Sequence, residues 1–190
     1  MKYLWMFLAI AILAAPVAPA AGQTVHTVAV IDFVDETSDG AMIGAPRLSA
    51  ELSRELASAS AGRLRVVPVE TVRAAMAARG FGTREIFNTT KLMEIAAAVG
   101  ADWIVTGRWM HLDTDWITIE RPGSDSPQFR YLMGDAMIEV RVIEAPSRKV
   151  ILADSFSDTV QGFFGPQLVM LQAALRVLRQ VAVTIARTAP

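Results

Sequence analysis

Residues 27 to 34 read TVAVIDFV, a run in which only Thr27 and Asp32 are polar and valine and isoleucine dominate. A strand with one face open to water alternates apolar and polar residues, whereas one buried on both faces is apolar throughout. The run therefore predicts a strand in the middle of a sheet, and the rest of the chain has to supply its neighbours and the helices that cover it.

The following segments do so in order. GAPRLSAELSRELASAS places Leu48, Leu52 and Leu56 at spacing four, with Pro46 near the first turn and Arg47 four before Glu51, an amphipathic helix that Gly62 ends. RLRVVPV (63 to 69) is a short strand whose Pro68 suits a strand end. ETVRAAMAARG is an alanine-rich helix closed by Gly80, and FGTREIF is a connector. NTTKLMEIAAAVGA has capping side chains among Asn88, Thr89 and Thr90, apolar Leu92, Ile95 and Val99, and Gly100 as terminator.

DWIVTGRWMHL (102 to 112) predicts a strand beside the first, reached by a helical crossover. A polar, turn-rich piece from Asp113 to Phe129 separates it from a hairpin. There, AMIEVRVIE (136 to 144) alternates Ile138, Val140 and Val142 with Glu139 and Arg141, APSR turns, and KVILADSFSDTV (149 to 160) returns. The last segment starts at Gly165 and Pro166 and predicts a helix of about six turns with Leu168, Leu171, Leu175, Leu178, Val181 and Ile185 as its core stripe. Its polar side carries Arg176, Arg179 and Arg187 and no acid, a weak candidate interaction surface whose plainer account is a solvated face. The expected fold class is α/β: a single-domain sandwich with a mixed, roughly five-stranded sheet flanked by helices and a long C-terminal helix.

The amino terminus reads differently. Lys2 precedes YLWMFLAIAILAA and then PVAPAAGQ, the order of a secretory signal peptide, with Ala18-Pro19-Ala20 the best cleavage match. Pro16 and Pro19 interrupt the apolar run before the roughly 20 residues that a membrane span needs. The expectation is a signal peptide over 1–20, cut after Ala20, and an α/β domain over 21–190 exported to the periplasm. The sequence has no cysteine, which leaves no disulfide and no acylated-cysteine anchor and excludes thiol catalysis and thiolate metal sites. A formal net charge of −1 does not predict nucleic-acid binding.

Chemistry has few places to reside. His26 and His111 are the only histidines, and neither has a second one at helical spacing. Gly-x-Ser-x-Gly, Gly-x-x-x-x-Gly-Lys and Gly-x-Gly-x-x-Gly are all absent. The remaining candidate is the acidic loop after the first strand, where Asp32, Asp35, Glu36 and Asp39 fall within eight positions. Asp32 and Asp35 are separated by two residues and would point to opposite faces of a continuing strand, unlike a phosphatase aspartate pair separated by one. Counted from Asp35 as an EF-hand, Gly40 fits the sixth place, but Thr37 fills the third and Pro46 the twelfth. A loop that caps the next helix explains these acids better than a metal or small-ligand site over 35–40. No catalytic residue, metal or cofactor is expected.

The order of these motifs resembles the CsgG-like envelope proteins, the group of CsgG, HfaB and LpoB, with a similar layout in the TolB amino-terminal domain. The residues that carry the resemblance are Asp32-Phe33 at the end of the first strand with its acidic loop, Arg65-Val66-Val67, and Ala97 through Gly100-Ala101-Asp102 to Val105 and Gly107. It covers about residues 27 to 187 and implies a periplasmic α/β domain that works by protein contact, assisting assembly or secretion of an envelope structure. LpoB-like activation of an envelope enzyme and an oligomeric secretion-channel component are its variants; a small-ligand or divalent-cation protein is the alternative from another class. The implied partners are envelope proteins, a homo-oligomer among them, with no nucleic acid and no transmembrane segment after cleavage. The stretch Asp113 to Phe129, with Pro122, Gly123 and Pro127, is too short in alternation for a membrane-crossing hairpin.

Overall fold

The computed structural model of the chain describes residues 24–37, 44–82, 85–119 and 129–189. The expected cleavage site at Ala20 lies outside them, as do Asp39 and Gly40 of the acidic loop.

The apolar run forms β1 (His26–Val30) and, after a break, β2 (Val34–Asp35). Both pair in parallel with β4 (Trp103–Ile119). Val30 lies opposite Val105 and Val34 opposite Arg108, so three residues of the run span what β4 covers with two. The expected continuous strand 27–34 is thus bulged. The cause is visible at Phe33, whose backbone N–H donates to the Ser49 hydroxyl (3.0 Å) rather than to the ladder, and the bulge releases Asp32 from the sheet.

The other elements are α1 (Ala45–Ala59), β3 (Leu64–Val66), α2 (Val69–Ala78), α3 (Thr89–Val99), β5 (Phe129–Glu144), β6 (Lys149–Gly162) and α4 (Pro166–Thr188). The sheet order is β3-β1-β4-β5-β6, with β2 also on β4. β1 therefore has neighbours on both sides, and β3 sits at the edge that Pro68 suggested. α3 is bounded by the residues that its sequence advertised: the Asn88 side chain accepts from the Lys91 N–H (3.2 Å), and Gly100 takes the left-handed conformation.

Two apolar layers sandwich the sheet. α1 and α4 pack on one face with Val28, Val30, Phe33, Trp109, Ile138 and Val140; α2 and α3 pack on the other with Ala29, Ile31, Ile104 and Ile143. The α2–α3 layer lies over β1 and β4.

Two expectations need correction. The stretch after Leu112 is not a loop throughout, because β4 continues to Ile119 and β5 begins at Phe129, making a ladder of 17 and 16 residues. The α4 stripe is also rotated. Val169, Met170, Ala173, Ala174, Val177, Leu178, Val181, Ala182, Ile185 and Ala186 are buried, whereas Leu168 is exposed and Leu171 and Leu175 are half-buried. The alanines explain this: small side chains let the helix axis approach the sheet closely, so the alanine-bearing face turns inward.

Candidate functional site

Each described acid of the loop has a specific partner. Asp32, freed by the bulge, receives two hydrogen bonds from Arg73 of α2, Nε to Oδ2 at 2.8 Å and Nη2 to Oδ1 at 3.0 Å. Arg73 also donates to the Pro46 carbonyl (2.6 Å) and so ties α2 to the start of α1. The Asp32 hydrogen bonds are the largest influence raising the Arg73 pKa above its ordinary value. Asp35 turns back on its own loop, accepting from the N–H (2.9 Å) and hydroxyl (2.6 Å) of Thr37.

Glu36 enters a longer chain of charges. Arg108 donates from Nη1 to both Glu36 oxygens (3.2 and 3.1 Å) and from Nε to Glu139 (2.8 Å), and Arg141 donates to the other Glu139 oxygen (3.0 Å). The hydrogen bonds from Arg108, then Arg141, hold the Glu139 carboxyl below the usual carboxylate range. Arg108 is raised in turn, by its hydrogen bond to Glu139 first and to Glu36 second. Both guanidiniums also face the Phe87 ring, at 5.6 Å for Arg108 and 5.2 Å for Arg141. The Thr106 hydroxyl fixes the residue before that ring by donating to the Ile86 carbonyl (3.1 Å). This network pins the β1 exit and the α2–α3 connection to the sheet. It depends on Gly107, where any side-chain carbon would collide with the Glu139 carbonyl oxygen.

A groove of about 390 Å³ adjoins the network, lined by Glu139, Arg141, Val150, Ala153, Asp154 and Ser155. It contains no histidine. His26 lies elsewhere, stacked on Trp103 at 4.8 Å, and His111 faces Met137 across the β4–β5 ladder. Among the described residues no three His, Asp or Glu side chains converge as metal ligands would.

Comparison with solved structures finds the same fold. The lipoprotein GNA1162 from Neisseria meningitidis superposes with a TM-score of 0.54 at 14% identity, over 83% of this chain and 98% of that one. The hypothetical protein CT253 from Chlamydia trachomatis gives 0.56 at 15%, over 87% and 98%. The PelC dodecamer from Paraburkholderia phytofirmans gives 0.50 at 12%, over 88% and 91%. No protein-family model matches the sequence, and no curated protein does.

The arginine face of α4 is less uniform than its sequence implied. Arg179 pairs with Glu55 of α1 (3.2 Å), an acid supplied by another helix and therefore invisible in the α4 sequence. Arg176 and Arg187 are exposed, eleven residues apart and so nearly aligned along the helix. Beside them, Gln180 donates to Asp158 of β6 (3.1 Å). Sequence reasoning missed the Arg108–Glu139–Arg141 cluster. Its available signal was the alternation of Glu139 and Arg141 on one strand, but Arg108 joins them only through the cross-strand register.

Proposed function

We propose that this chain is a non-catalytic protein of the bacterial cell envelope, exported after removal of residues 1–20, that works in the periplasm by contact with other envelope proteins and assists assembly or secretion of an envelope structure, as CsgG-like proteins do. The observation that carries this reading is the fold shared with lipoprotein GNA1162 over nearly that protein's whole chain, taken with the signal-like leader. The acids of the first loop support it, because the oxygens of Asp32 and Glu36 are engaged by arginines instead of converging on a common point. The exposed Arg176 and Arg187 on α4 are the candidate contact residues, with Arg179 partly committed to Glu55.

Expression with a carboxy-terminal tag, followed by cell fractionation, intact-mass measurement and crosslinking in the native envelope, tests it. The expected product begins at Ala21, is released with the periplasm and crosslinks to an envelope protein. An unprocessed chain in the cytoplasm would overturn the proposal.

A second reading is favoured by one observation: PelC, which shares the fold over 88% of this chain, is a dodecamer. On this reading the protein is a ring-forming component of a secretion apparatus. Light scattering with and without detergent separates the two, since a ring requires a mass many times that of the 20.6 kDa chain.

A further inference from the structure

The extended β4–β5 hairpin gathers exposed apolar side chains at one end of the molecule. Ile119 lies opposite Phe129, Trp116 lies opposite Leu132, and Leu132 in turn faces Gly162, which leads straight into Phe163 and Phe164. Trp116 is 54% exposed, Ile119 52%, Phe129 64%, Phe163 74% and Phe164 61%. The end is built, not frayed: the Phe129 and Phe163 rings meet edge to face at 6.0 Å, and the Arg130 guanidinium lies 5.4 Å over the Trp116 ring. Gly134 and Gly162 hold it to the body, because Val169 of α4 occupies the space their side chains would need.

We propose that this aromatic end docks into the interfacial layer of a lipid bilayer. Its composition fits that layer. Tryptophan and phenylalanine with one arginine make a set that buries rings among acyl chains while a guanidinium stays at the headgroups. A second copy of the chain fits less well. At their exposures the four aromatic side chains present roughly 500 Å², from about 150–250 Å² for each when fully exposed, against about 800 Å² per partner in a standard interface.

The carboxylates set the depth. Asp113 and Asp135 face each other across the ladder and Asp115 is two residues further out, and beyond it four described residues on each strand, 116–119 and 129–132, carry Trp116, Ile119 and Phe129. At strand rise these reach about 13 Å, enough for the outer 5–10 Å of a leaflet. Docking of this kind needs a membrane within reach, and so it rests on the envelope placement proposed above.

The test uses the full chain carrying Trp5→Phe. Of its three remaining tryptophans, Trp103 and Trp109 are buried, so Trp116 reports alone on its surroundings. With phosphatidylcholine vesicles the Trp116 emission is expected to shift to the blue and to be quenched when brominated phosphatidylcholine is used. Adding Phe129→Ser, Phe163→Ser and Phe164→Ser should abolish the quenching and weaken partitioning at least about tenfold, with an unchanged far-ultraviolet spectrum and melting midpoint. Flotation with vesicles while Trp116 stays unquenched would overturn the proposal, since binding would then run through the leader. A blue shift that follows protein concentration without lipid would also overturn it, by showing that a second copy covers the end. Either failure leaves the fractionation result untouched, so loss of this inference is distinguishable from loss of the envelope reading.

Discussion

Asp32 and Arg73 are 41 positions apart in sequence and meet through two parallel hydrogen bonds of 2.8 and 3.0 Å. The pair joins the bulge between β1 and β2 to the second helix, and it depends on one extra residue in the strand to bring the carboxylate out of the sheet. Replacing Asp32 with alanine is expected to cost about 1–2 kcal/mol, above the usual surface ion pair because the geometry is bidentate and both side chains are mostly covered. Urea unfolding of Asp32→Ala, Arg73→Ala and the double variant measures the coupling; additive losses would show that the two do not act together.

The Glu139 network predicts a direction with pH. The folded-state pKa of Glu139 lies below its unfolded value, so the unfolded chain binds the proton more readily as pH falls. Its stabilisation is complete above the unfolded pKa, about 4.3, and is lost as pH falls through the lower folded value. Melting curves between neutral and acid pH should therefore show a shallower acid decline for Glu139→Gln than for the native chain. Equal slopes would remove Glu139 as a contributor.

Gly107→Ala should destabilise by about 1–3 kcal/mol, because the added carbon strikes a backbone oxygen, which cannot swing aside as a side chain could. Chemical denaturation reads this loss. A variant as stable as the native protein would mean that the β4–β5 spacing yields there.

Calcium or magnesium at saturating concentration is expected to leave the melting midpoint unchanged, since a ligand that binds only the native state must raise it. A clear upward shift would restore the acidic loop as a cation site.

The rotation of α4 can be checked directly. Leu178→Ala should cost about 2–5 kcal/mol and Leu168→Ala under about 0.5 kcal/mol, although both belong to the leucine stripe that the sequence displays. Similar losses at both positions would contradict the observed packing.

That contrast also shows where sequence was sufficient. Asn88 and Gly100 bracket α3 because capping and left-handed termination are local chemistry, and Leu48, Leu52 and Leu56 define α1 because one large side chain per turn is enough to mark a buried face. The outer half of the hairpin was hidden because Asp113, Thr114, Asp115 and Thr118 look like loop residues by themselves. Their strand conformation comes from pairing with Thr118's partner Arg130 and its neighbours through Asp135. Asp32 and Glu36 were recognised as a cluster, but their arginines arrive from α2 and β4, at separations of 41 and 72 residues. Packing of α4 was misread because leucine drew the eye, whereas Ala173, Ala174, Ala182 and Ala186 line the inner face.

The seating of Val169 over Gly134 and Gly162 bears on when the molecule can fold. Leu132, Ile138, Val140 and Val142 find their cover in α4, a helix that follows β4, β5 and β6 in sequence, and Ala189, just after it, is itself buried. Until that helix has emerged, the larger core has no lid and β5 and β6 have little reason to stay paired. Local folding of the earlier segments cannot complete the domain, so final consolidation waits for α4. The consequence is a polypeptide whose two layers close in turn: the α2–α3 layer can form early, but the layer that α1 begins is finished only by α4.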